Sequence, residues 1–93
     1  MITITTVCGM GLGTSMMLAM QVRQVLESIG VQGKVHPIDL GSFKSSPSDI
    51  VVTTRAMEAQ VSGTTAKVVA VDNLIDRSEI EAKVRAALAE LDD

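Results

Sequence analysis

One change of hydrophobic period near the start of the chain constrains its fold more than any other feature. Ile2-Thr3-Ile4-Thr5-Thr6-Val7 is rich in β-branched residues, which suit a pleated and covered surface. Further on, Leu18, Val22, Val25, Leu26 and Ile29 share one stripe of an α-helix. Between the two patterns stands Cys8-Gly9-Met10-Gly11-Leu12-Gly13-Thr14-Ser15, with glycine at every second position from Gly9 to Gly13. A strand that passes into a helix over so short a span opens a parallel α/β unit, because the helix must lie back across the sheet.

The same alternation continues to the end of the chain. The pattern predicts strands over Ile2–Val7, Lys34–Leu40, Asp49–Thr53 and Lys67–Val71. It predicts a first helix from Thr14 or Ser15, either hydroxyl serving as N-cap, to Ile29, with Gly30 as its stop. A turn of helix around Phe43 and a short helix over Arg55–Val61 are expected next. The last helix should run from an N-cap at Ser78 to Leu91, burying Ile80, Val84, Ala87, Leu88 and Leu91. Pro37 cannot donate to a ladder, so the second strand belongs at an edge. Right-handed crossovers then favour the strand order 2-1-3-4. The 93 residues thus make a single α/β domain, residues 1–93, a three-layer sandwich around a four-stranded parallel sheet. With Phe43 as its only aromatic residue, the core must be aliphatic.

In that order the chain reverses direction between strands one and three. Open α/β sheets bind ligands at such a point, beyond the carboxyl ends of the strands. Cys8 follows strand one and Thr53-Thr54-Arg55 ends strand three, so the two segments should face one crevice. Alternate glycines allow backbone N–H groups to converge in a nest, and the following helix aims its positive end at the same place. A thiol held there ionises readily. The junction is therefore expected to be a Rossmann-like, phosphatase-like P-loop in which Cys8 is a nucleophile and residues Gly9, Met10, Gly11, Leu12, Gly13, Thr14 and Ser15 hold a phosphate.

Three other phosphate chemistries use such a loop. A nucleotide P-loop needs lysine before its final hydroxyl residue, whereas Gly13-Thr14-Ser15 has none. A dinucleotide fingerprint is spaced Gly-x-Gly-x-x-Gly, although Asp39 would stand in for its ribose-binding acid. A cysteine phosphatase places arginine six residues after its nucleophile, and here that position is Thr14. The loop thus has a phosphatase-like cradle without the guanidinium clamp that stabilises the hydrolytic transition state. That suits a carrier, which must hold a phosphoryl group without losing it to water. The plain alternative is a buried cysteine beside an ordinary turn.

Charge and cysteine content narrow the field. A net charge of −3 with no basic run argues against nucleic acid as partner. One cysteine cannot form an internal disulfide, and one histidine, His36, cannot complete a zinc site with it. No metal or cofactor is expected. The N-terminus has no basic leader pattern, and no run approaches the roughly 20 apolar residues that span a bilayer. The expected setting is the cytoplasm.

On the loop Cys8–Ser15, the sequence resembles the IIB components of the bacterial sugar phosphotransferase system (PTS), those of ascorbate and galactitol type in particular. Thr53-Thr54-Arg55 is similar to the matching segment of the galactitol type. The resemblance implies that Cys8 takes a phosphoryl group from a phosphohistidine of a IIA partner and passes it to a sugar bound in a membrane IIC component. It implies no cofactor, and a cytoplasmic protein that meets the membrane transiently through IIC. Thr54 and Arg55 would stand behind the loop; for Arg55, a cation facing the phosphate and an ordinary surface arginine are both open. Other readings of the same cysteine are a regulatory or sensory domain and a small cysteine phosphatase. Met16 and Met20 should lie opposite the buried stripe, where they either meet partner proteins or pack on neighbouring elements.

Overall fold

β1 (Ile2–Val7) is an interior strand, with β2 (Gly33–Ile38) on one side and β3 (Ile50–Thr54) on the other; β4 (Lys67–Val71) lies beyond β3. All three pairings are parallel, so the expected order 2-1-3-4 holds and Pro37 does sit in an edge strand. This computed structural model describes residues 2–7, 12–38, 48–61, 66–73 and 76–91, with 12–14 given by backbone course alone. The expectations for Asp39, Leu40 and the turn around Phe43 lie outside the described residues.

Alternation along the strands divides the core in two. Ile4, Ile50, Val52, Val69 and Val71 face α1 (Leu12–Ile29) and α3 (Arg77–Leu91). Val7 and Val51 face the other way, onto Val61. Val61 closes α2 (Glu58–Val61), which follows a 3-10 turn over Arg55–Met57. Helices on both faces make the three layers. Asp49 ties the amino ends of the strands together: its carboxylate accepts from Thr3 N–H at 2.9 Å, its own N–H donates to Thr3 C=O at 2.8 Å, and its carbonyl accepts from Lys67 N–H at 3.0 Å.

Both long helices begin earlier than their sequence implies. α1 starts at Leu12, so Thr14 and Ser15 are inside its first turn and neither is the N-cap. Packing decides this: Thr6 Oγ1 donates to the Ser15 carbonyl at 2.9 Å and draws the first turn down onto the end of β1. α3 starts at Arg77, and its cap is Asp76, whose Oδ1 accepts from Glu79 N–H at 3.2 Å. Ser78 is not the cap, because a carboxylate two residues earlier already fills that role. Leu91, expected in the core, is exposed, since the helix has by then run past the sheet. β3 is displaced by one residue from the expected span, and Gly30 ends α1 as anticipated. At φ +75° Gly30 lets Val31 N–H reach Leu26 C=O at 2.9 Å, a Schellman closure.

Candidate functional site

The connections from β1 and β3 leave the sheet on opposite faces, one through α1 and the other through α2. The resulting switch point lies at the carboxyl ends of these two strands. Register puts Val7 directly beside Thr53, so the last residue before Cys8 touches the end of β3. Cys8, Gly9, Met10 and Gly11 lie outside the described residues.

Leu12, Gly13 and Thr14 belong to the first turn of α1, where backbone N–H groups lack intrahelical acceptors. No acidic side chain occupies that turn, so its positive end is not neutralised from within the helix. Ser15 begins the buried stripe that Leu18, Ala19 and Val22 continue, and it is fully buried. Its Oγ has no hydrogen-bond partner among the described residues, and the same holds for Thr53 Oγ1. Thr5 and Thr6 are equally buried, yet their hydroxyls are engaged, by Ser48 Oγ and the Ser15 carbonyl respectively. The polar atoms left without partners therefore gather where β1 ends and α1 begins.

Arg55 is held at the β4 side of this crevice. Its guanidinium pairs with the carboxylate of Asp72, through Nε and, at 3.4 Å, through Nη2. The hydrogen bond and charge of Asp72 raise the arginine pKa further. Both partners are largely exposed. Asp72 also begins a small network: its N–H donates to Glu79 Oε2 at 2.7 Å, and Asn73 N–H donates to Glu79 Oε1 at 3.0 Å. Lys83 completes it with a 2.8 Å bond to Glu79. That lysine bond, followed by the Asp72 amide, lowers the Glu79 pKa to about 2. Thr54 is half-buried and pairs in register with Val71.

One participant was not evident from sequence motifs. Asp72 carries no motif, but parallel register makes the residue after β4 a neighbour of the residue after β3, and an acid there faces Arg55. Thr53 is already placed at the crevice by its sequence, as the end of the third strand. Its buried, unbonded hydroxyl became visible only with the sheet assembled.

Met16 and Met20 are each 55% exposed and Met17 is 43% exposed, in the amino-terminal half of α1. No described helix is long and apolar enough to cross a membrane.

Residues 3–86 match the family model described as PTS system, Lactose/Cellobiose specific IIB subunit. The chain is 31% identical over 81 residues to an ascorbate-specific PTS system EIIB component from Mycoplasma pneumoniae, covering 84% of this chain and 85% of that protein. It is 30% identical over 92 residues to the ascorbate-specific PTS system EIIB component of Shigella dysenteriae, covering 96% and 91%. The Salmonella typhimurium protein of the same description is also 30% identical over 92 residues.

Proposed function

This chain belongs to the IIB subunit family of the sugar phosphotransferase system, and on that premise we propose that it is a phosphocarrier working through Cys8. The observation that carries the reading is the junction itself: the chain's only cysteine follows an interior strand at the switch point and leads, within four residues, into the amino end of an 18-residue helix.

The Cys8 thiolate attacks phosphorus on the phosphohistidine of a IIA partner. The S–P bond forms as the P–N bond breaks, and the imidazole leaves with its electron pair and is then protonated. In the second step a hydroxyl oxygen of the sugar held by a membrane IIC partner attacks the same phosphorus. The S–P bond breaks, the thiolate returns, and the hydroxyl proton passes to a base of the acceptor complex. Backbone N–H groups of the loop and the first turn of α1 hold the phosphoryl oxygens, each charge-assisted bond contributing about 1.5–3 kcal/mol. Thr14 and Ser15 lie in that turn. Arg55, already neutralised by Asp72, does not supply a free cation, in keeping with a carrier that does not promote hydrolysis.

Because the relatives carry ascorbate in their names, ascorbate is the first acceptor to test. Intact-mass measurement after incubation with a phosphorylated IIA should give one added phosphoryl group on the wild type and none on Cys8→Ser. An equal adduct on the variant would remove Cys8 from the mechanism. Steady release of inorganic phosphate from an aryl phosphate would favour the phosphatase reading instead.

A further inference from the structure

The outer edge of β4 is open where that of β2 is blocked. On β2, the Val35 carbonyl points away from the sheet to Arg23, and Pro37 takes the same outward position two residues on. Without an N–H there, β2 cannot extend a regular ladder. On β4, Lys67 N–H donates inward to Asp49 C=O, so by alternation Val68 and Ala70 turn their backbone groups outward. The Ala70 carbonyl accepts from Lys83 Nζ. Val68 N–H, Val68 C=O and Ala70 N–H have no partner among the described residues.

This edge is complementary to itself. A two-fold axis at Val69 sets Val68 opposite Ala70 of a second copy, and Ala70 opposite its Val68. In an antiparallel ladder such pairs exchange both of their backbone bonds, which satisfies every outward group just named. The Ala70 carbonyl has a second lone pair for that bond. Charges on α3 fall about the same axis. The helix runs beside β4 with Lys83 at the Ala70 end and Glu90 at the other, where Glu90 pairs with Lys67 at 3.2 Å. Ala86, small and exposed, lies midway between them. The axis therefore brings Lys83 of each copy to Glu90 of the other, with Ala86 where the helices come closest. One groove of about 260 Å³ joins Val68, Ala70, Lys83, Ala86 and Glu90, so strand edge and charged helix face form a single surface.

We propose that this chain forms a two-fold dimer through β4 and α3, its two sheets joining edge to edge. Isologous pairing of this kind needs one patch that complements itself, and the outward amides and the Lys83–Glu90 spacing both meet that condition. Lys83 remains a barrier to strands of other sequence, because pairing with them would bury its charge without a partner. A second copy brings a carboxylate to it. Such a dimer does not depend on the role proposed for Cys8.

Sedimentation equilibrium from about 10 μM to about 1 mM suits a contact of this small size. The wild type should pass reversibly from monomer to dimer within that range. Val68→Pro removes an outward N–H and no bond of the β3–β4 ladder, and should weaken the dimer roughly tenfold. Glu90→Lys and Lys83→Glu should each weaken it to a similar degree, since like charges then meet across the axis. An equimolar mixture of those two variants should recover the wild-type affinity, because each offers the charge that the other lacks. Thermal melts establish that each variant is folded, and the charge variants carry the test if Val68→Pro is not. A wild type that stays monomeric to the top of the range overturns the proposal and leaves the edge to a different protein. Growth beyond the dimer, a dimer indifferent to both charge reversals, or a mixture that fails to recover it also overturns the proposal.

Discussion

Lys83 donates from Nζ to the backbone carbonyl of Ala70, 2.6 Å away, so a residue of α3 closes a carbonyl on the outermost strand of its side. The opposite edge has the same device: Arg23 Nη2 donates to the Val35 carbonyl of β2 at 2.7 Å. Open strand edges invite pairing with other chains, and charged side chains are a common defence. Arg23→Ala and Lys83→Ala should each lower stability by about 1 kcal/mol. The double variant should associate at concentrations where the wild type stays monodisperse, as read by sedimentation velocity. An unchanged sedimentation profile would show that these bonds only anchor helices.

The network around Glu79 ties folding to pH. Its pKa is lowered to about 2 in the folded chain, chiefly by the hydrogen bond from Lys83 and then by the Asp72 amide. An unfolded glutamate titrates near 4.5, so the folded state binds fewer protons here. The stabilisation is complete above the unfolded value and is lost as pH falls from about 4.5 towards 2. Urea midpoints of the wild type and Glu79→Gln should therefore differ at pH 7 and converge near pH 2. A gap that persists unchanged at the acid end would locate the effect in packing.

Two glycines answer to different requirements. Gly30 has φ +75° with nothing near its missing Cβ, so Gly30→Ala meets only backbone strain, about 1 kcal/mol. At Gly33 a Cβ would lie 3.1 Å from both the Ile2 carbonyl oxygen and Leu26 Cδ1. Gly33→Ala should cost roughly 1–3 kcal/mol through crowding between β1, β2 and α1. Chemical denaturation of both variants checks the order; equal losses would contradict it.

Met20 faces solvent on α1, close in sequence to the loop that a IIA donor would reach in the proposed transfer. Met20→Glu should change stability by less than about 0.5 kcal/mol. It should slow transfer from a phosphorylated IIA by roughly tenfold, the effect of losing about 1.4 kcal/mol at an interface. Unaltered single-turnover kinetics would place the docking surface elsewhere.

Strand order, edge placement of β2 and the apolar stripe of α1 were all readable from residue pattern, because β-branched runs, helical spacing and Pro37 act locally. The passage from strand to helix between Val7 and Leu12 was readable for the same reason, being continuous in the chain. Helix starts were not: Thr14, Ser15 and Ser78 are good caps by type, but Thr6 and Asp76 act on those turns from neighbouring positions. Arg55 was equally ambiguous until Asp72 was brought beside it from across the β3–β4 pair.

From its sequence alone, this chain is committed to a parallel sheet with its sole thiol between a strand and a helix, since both follow from periods of a few residues. Only the tertiary structure decided which polar atoms are spent and which are left over. Whether Thr5, Thr6, Ser15 and Thr53 have partners depends on contacts between separate strands and helices, and those contacts exist only once the sheet is closed on its helices.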